Sequence, residues 1–363
     1  MRTLRLYATA LALGIGALSA APAAAHPSDS IVMSGLDNPR GLTFAPEGDD
    51  DADDDGQSAL YVAEAGNGGT LRCTVIRGTV CVGLTGGVSR YWRGEQKRIV
   101  SGLPSYAPFA PPSAGAVGPS DVSFAGGRGY VVIGLAANPD ARAGLGENFG
   151  WIARFRENGR VSYEVDLSDY EKRANPDAGP VESNPYGLLA GAGRHVVVDA
   201  AGNTVLGVTP SGSVFTGAVL PSRAQGRSTD SVPTSVAVGP DDALYVGELT
   251  GAPFAPGLAT VWRVLPGRPP EAFCEGFSYI IDLDFDRDGN LYVLEHASGP
   301  NGPFARTPGR LLRVGPDCRK TEIRTGLPAP SSVAIGPDGD AYVSINSTSP
   351  ATGAVLRIDP STP

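Results

Sequence analysis

A chain of 363 residues carrying 49 glycines and 32 prolines, spread along its whole length, is built from many tight turns, which argues against a mainly helical fold. A hydrophobic fraction of 41% supplies a real core and excludes a disordered chain. The formal net charge of -9 argues against nucleic acid and anionic membrane as partners.

The first 25 residues read as a signal peptide: a basic start at Arg2 and Arg5, a short apolar run, and Ala23-Ala24-Ala25 as the small-residue cleavage box. The mature chain is expected to begin near His26, to be secreted, and to be a soluble monomer forming one domain over residues 26–363. From there one unit recurs six times. Its clearest copy is residues 283–295: alternating apolar and acidic residues, a turn at Asp288-Gly289-Asn290, and the short strand Leu291-Tyr292-Val293-Leu294 closed by Glu295. Aligned on the second strand, the copies fall at Tyr61, Tyr130, Val196, Tyr245, Tyr292 and Tyr342, the later intervals being 49, 47 and 50 residues. That is the period of a four-stranded propeller blade. Five units open on a proline: Pro39, Pro119, Pro185, Pro233 and Pro330. The other opens on Phe277-Ser278-Tyr279-Ile280.

A third strand ends in arginine and an apolar residue, as in Arg263-Val264, Arg313-Val314 and Arg357-Ile358. The last unit stops at this third strand, while residues 31–36 read as a fourth strand with no unit of their own. The fold expected is therefore an all-β six-bladed propeller closed by the N-terminal strand completing the last blade. Three segments exceed the repeat, at 49–56, 106–118 and 168–182, and long loops on a rigid scaffold are where binding work is usually found.

Export permits disulfides. Of the four cysteines, Cys73 and Cys81 flank a hairpin turning near Arg77-Gly78, where a cross-strand bridge is natural, leaving Cys274 with Cys318.

Residues before the first strand and after the second lie at one end of a propeller channel. Glu64, Asp199, Glu248 and Glu295 occupy one phase of this second strand, so they are expected to converge at the channel mouth and to bind a hard cation, with calcium the candidate cofactor. The competing reading is that each accepts bonds from backbone N–H groups of its adjoining loop. Arg40, Ser120, Asp121, Tyr186, Thr234, Tyr279 and Ser331 form the expected ligand rim, suited to a small polar or aromatic molecule; taken singly, each is accounted for by satisfying loop backbone. Two strings match the start of a calcium loop: Asp51, Asp53, Asp55 with Gly56, and Asp284, Asp286, Asp288 with Gly289. The first reads as a solvated acidic loop and the second as a blade turn. Among the three histidines, His195 reads as a core or channel residue, and His296 is the one general-base candidate for catalysis.

Together the leader, the entry Asn38-Pro39-Arg40-Gly41-Leu42, the segment Leu60-Tyr61-Val62-Ala63-Glu64-Ala65-Gly66 and the six units resemble the ScyD/ScyE family of secreted propeller proteins. The resemblance implies extracytoplasmic handling of an indole-phenol product, and the rim residues themselves suggest an extracellular module that binds a small molecule or a protein. More broadly the chain is similar to NHL-repeat, gluconolactonase-like and sugar-dehydrogenase-like propellers. These imply two further functions: a calcium-dependent hydrolase or lactonase, with Glu64, Asp199 and Glu248 at the metal, and a quinone-dependent oxidoreductase using Glu295-His296.

Overall fold

The computed structural model describes residues 29–45, 58–109, 115–224, 228–300, 302–303 and 307–361. The expected signal peptide and the acidic string Asp51, Asp53, Asp55 fall outside the described residues.

Six antiparallel sheets form the six blades of the propeller. The innermost strands are Pro39–Phe44, Pro119–Phe124, Pro185–Leu189, Pro233–Val238, Ile280–Phe285 and Ser332–Ile335, and each neighbours the inner strand of the next blade around one axis. The second strands, Leu60–Glu64, Gly129–Ile133, His195–Asp199, Leu244–Glu248, Leu291–Glu295 and Ala341–Ile345, are buried almost throughout. A strand covered on both faces by flanking blades must be apolar at nearly every position, which is why these read as continuous hydrophobic runs. Ser30–Leu36 pairs antiparallel with Gly353–Ile358 and so lies in the sheet of the sixth blade. Met33 and Leu36 of this strand are almost fully buried beside Val355.

Blade one departs from the repeat. Its outer strands, Thr79–Trp92 and Glu95–Pro108, each have 14 residues and run past the Glu64 end of the blade, with Arg72–Val75 added at the edge. Cys73 and Cys81 face one another there and are bridged. The extension rests on blade two: the Tyr106 hydroxyl donates to the Leu135 carbonyl at 2.7 Å, and its ring packs on Phe149. Residues 106–108, expected in a loop, are thus the end of a strand. The segment 168–182 likewise contains a helix, Leu167–Ala174, capped by Asp166, whose carboxylate accepts the Asp169 N–H at 3.0 Å. Cys274 and Cys318 form the second disulfide, tying the outer strand of blade four to blade five.

Candidate functional site

Pairing registers fix which residues are equivalent around the axis. Pro39 lies opposite Glu64, Pro119 opposite Ile133, Pro185 opposite Asp199, Pro233 opposite Glu248 and Ile280 opposite Glu295. Blade five therefore enters at Ile280, two residues later than expected, and Ile281 rather than Tyr279 matches Arg40, Ser120, Tyr186, Thr234 and Ser331. The reason is physical: without a proline, nothing in the sequence pins where that strand begins. Tyr279 is buried before the strand, with its hydroxyl donating to the Phe254 carbonyl at 2.7 Å.

The second-strand carboxylates are not brought together as a metal set. Each is anchored inside its own blade. Glu64 accepts the Asp37 N–H at 2.8 Å and the Ser89 hydroxyl. Asp199 accepts N–H groups of Asn184, Ala201 and Gly202 and the Ser183 hydroxyl. Glu248 accepts from Arg223, Ser231, the Thr260 N–H and the Trp262 indole. Glu295 accepts the Ser278 N–H at 2.8 Å and pairs with Arg310 at 2.6 Å. These oxygens are taken up by donors of the turn that opens each blade and of the neighbouring strands and loops, so they do not fit a shared calcium ion. Among the described residues no three His, Cys, Asp or Glu side chains are grouped closely enough to hold a metal. Burial pushes the Asp199 and Glu248 carboxyls up despite these donors. The second calcium-like string is also structural. Asp284 accepts the Ile335 N–H of blade six at 2.8 Å, and Asp286 binds the Asp288 and Asn290 N–H groups of its own turn.

Three of the expected rim hydroxyls are spent on the scaffold. Ser120 donates to the Pro185 carbonyl at 3.0 Å, Thr234 to that of Ile280 at 2.8 Å, and Ser331 to that of Pro39 at 2.8 Å. Each bond crosses to the next blade, and together they lace the inner ring.

What does converge is Arg40, Asp121, Tyr186 and His296, with one residue the sequence did not single out, Asp282. Asp121 and Asp282 are equivalent positions on blades two and five, opposite one another across the axis. Inner-strand N–H groups face the channel and need acceptors. Asp121 accepts the Leu188 N–H of blade three at 2.7 Å; Asp282 accepts the Val333 N–H of blade six at 2.9 Å and the Ser332 hydroxyl, which in turn accepts the Leu42 N–H of blade one at 2.9 Å. Gly41 makes room for this, since a Cβ there would fall 1.9 Å from an Asp121 oxygen. Burial, and then the facing Asp282 charge, push the Asp121 carboxyl well above the usual range; burial raises Asp282 to about 7 and Asp284 to about 6.

Toward the mouth, the Arg40 guanidinium is braced by the Ser347 and Ala116 carbonyls at 2.7 and 3.1 Å. Its charge is felt by both Tyr186 and His296. Burial raises the Tyr186 phenol, which stays a neutral donor; Arg40 opposes the shift, while Asp282 and Asp121 add to it. His296 Nδ1 lies 2.7 Å from the Pro330 carbonyl, which can only accept, so Nδ1 carries the proton and Nε2 the lone pair. Burial and the Arg40 charge lower the His296 pKa against the pull of that carbonyl, keeping the ring neutral. Tyr186 and Leu249 pack against the apolar cluster that includes Ile281 and Ile345. The channel mouth thus presents one fixed cation, one phenol, one neutral imidazole whose Nε2 accepts no bond among the described residues, and an apolar wall, above two facing carboxyls.

No family model and no curated protein matches the chain. Among solved structures, it is similar to a putative oxidoreductase (glucose dehydrogenase) from Thermus thermophilus, with 17% identity, a TM-score of 0.53, and 91% of this chain and 99% of that one covered. It is also similar to XC5397, a gluconolactonase from Xanthomonas campestris, at 12% identity and TM-score 0.53, covering 91% and 89%. A third is virginiamycin B lyase from Staphylococcus aureus, at 13% identity and TM-score 0.50, covering 91% and 98%. These likenesses place the chain among six-bladed β-propellers, a fold that hosts oxidoreductases, lactonases and lyases alike.

Proposed function

We propose that the channel mouth is the working site of an exported propeller of the ScyD/ScyE type, and that it takes a small polar molecule bearing a carboxylate or a lactone-type carbonyl. The observation that carries this reading is the meeting of Arg40, Tyr186 and His296 at one end of the axis. Arg40, pre-set by two carbonyls, is the group for an anionic or developing-anionic oxygen. The Tyr186 hydroxyl is a second donor. His296, neutral and with Nε2 unprotonated, is the general base that takes a proton from an attacking water. A gluconolactonase among the structural neighbours supports the lactone class of substrate. The two disulfides support an extracellular setting, and no helix among the described residues is long and apolar enough to cross a membrane.

Gluconate and glucono-δ-lactone are the test pair. Gluconate should raise the melting temperature, and Arg40→Ala should weaken its binding at least tenfold. His296→Ala should leave gluconate binding within about twofold and abolish hydrolysis of the lactone. A wild-type protein that neither binds gluconate nor opens the lactone sinks the lactone reading. Binding without hydrolysis reduces the site to a binding module.

A further inference from the structure

At the far end of the blades, a cavity of about 570 Å³ opens between blades two and three. It is walled by the turn 125–128 of blade two, the turns 191–194 and 209–212 of blade three, and the strand ends beside them. Those turns join strands at the end away from Pro119 and Asp199, so the cavity lies on the face of the disc opposite the channel mouth.

Its chemistry is cationic in a molecule whose net charge is -9. Arg128, Arg154 and Arg194 line it against a single carboxylate, Glu164. Arg154 is committed to Glu164 at 2.6 Å. Arg128 has no acceptor for its guanidinium among the described residues. The Arg194 guanidinium lies over the Phe215 ring at 5.1 Å, a contact that holds the plane of the group, and its N–H edge has no acceptor among the described residues. His195, also in the wall, packs on the Tyr130 ring at 4.4 Å. Its Nδ1 accepts the Gly191 N–H at 3.4 Å, which sets the ring proton on Nε2, and that N–H has no acceptor among the described residues. Burial lowers the His195 pKa, consistent with a neutral donor in the wall.

A concave site of this size, with two uncommitted guanidinium groups and one oriented imidazole N–H, is built to receive an oxyanion. We propose that this inter-blade cavity binds a small molecule carrying a carboxylate or phosphate, gripped by Arg128 and Arg194 and oriented by His195 Nε2–H. The site is separate from the channel mouth and shares no residue with it.

Calorimetric titration at fixed ionic strength tests this, with citrate as the carboxylate probe, inorganic phosphate as the phosphate probe and sorbitol as the neutral control. Saturable binding is expected for at least one anion and not for sorbitol, and which anion binds assigns the class. The Arg128→Ala/Arg194→Ala double variant should weaken it at least tenfold while keeping the ligand-free melting temperature. Arg40→Ala should leave it unchanged, and His195→Gln should retain more affinity than His195→Phe. No saturable binding of either anion, equal binding by the double variant, or loss of binding in Arg40→Ala would overturn the proposal.

Discussion

Carboxylates of this propeller divide by what they accept. Asp121, Asp282 and Asp284 terminate channel-facing N–H groups of the next blade, whereas Glu64, Asp199, Glu248 and Glu295 each accept a donor from the turn that opens their own, along with others of the same blade. The first group carries a pH signature. The folded pKa of Asp282, about 7, lies above the unfolded value, so the folded state holds a proton that the unfolded state has already released. Its contribution to stability is complete below about pH 4 and is lost as pH rises to 7. Asp282 is only half-buried by accessible surface, so its charge is partly screened and the loss is about 2 kcal/mol rather than the full shift. Denaturant titrations of Asp282→Asn should therefore show a flatter fall in stability between pH 4 and 7 than the wild type. An unchanged slope would remove this residue as the source. Glu248 is fully buried and holds Arg223, Ser231, Thr260 and Trp262 at once. Glu248→Ala should cost about 3 kcal/mol by stranding those donors, and added calcium should not restore it. Recovery of the wild-type melting temperature on adding calcium would reopen the metal reading.

Entry turns show why some elements were legible and others were not. Proline fixes φ and removes a donor, so Pro39, Pro119, Pro185 and Pro233 mark where inner strands begin, and the sequence places them correctly. Blade five lacks that mark, and its register slipped by two residues, hiding Asp282 at the channel and promoting Tyr279 to the rim. The phase of the four carboxylates was legible; their partners were not, because Ser89, Arg223 and Arg310 belong to other strands and loops whose positions depend on the packed blade. The length of blade one's outer strands was equally hidden, since Gly83 and Gly86 look like turn residues when read locally. The Cys73–Cys81 pair was readable from its hairpin, and Cys274–Cys318 followed as the remaining two. Their weights should differ: the bridge Cys274–Cys318 closes a loop with a sequence separation of 44, against 8 for Cys73–Cys81. On chain entropy, replacing Cys274 and Cys318 by serine should cost about 4 kcal/mol, and replacing Cys73 and Cys81 about 2.5 kcal/mol. Equal losses in urea melts would mean that the extension of blade one matters to the whole disc as much as the join between blades four and five.

At the scale of the molecule, the ring depends on a strand far from its partner in the chain. Ser30–Leu36 is held from three sides: it pairs with Gly353–Ile358, its Ser34 backbone exchanges two bonds with the Gln96 side chain of blade one at 2.9 Å each, and Asp29 before it pairs with Arg324 of blade five at 2.9 Å. The buried Met33 and Leu36 add about 2 kcal/mol each. A protein starting at Asp37 would expose Gly353–Ile358 as an open edge and uncover Val355. Loss of at least about 4 kcal/mol is expected, with concentration-dependent aggregation and faster amide exchange at Val355, Leu356 and Ile358 than in blades two and three. Because inner strands lean on one another around the axis, the opening should spread first to the neighbouring blades one and five, raising exchange at Val62 and Leu311 ahead of Val131 and Val197. Uniform exchange across all six blades would show that the ring unfolds as one unit whichever edge is opened, and that closure contributes stability without directing where the structure gives way.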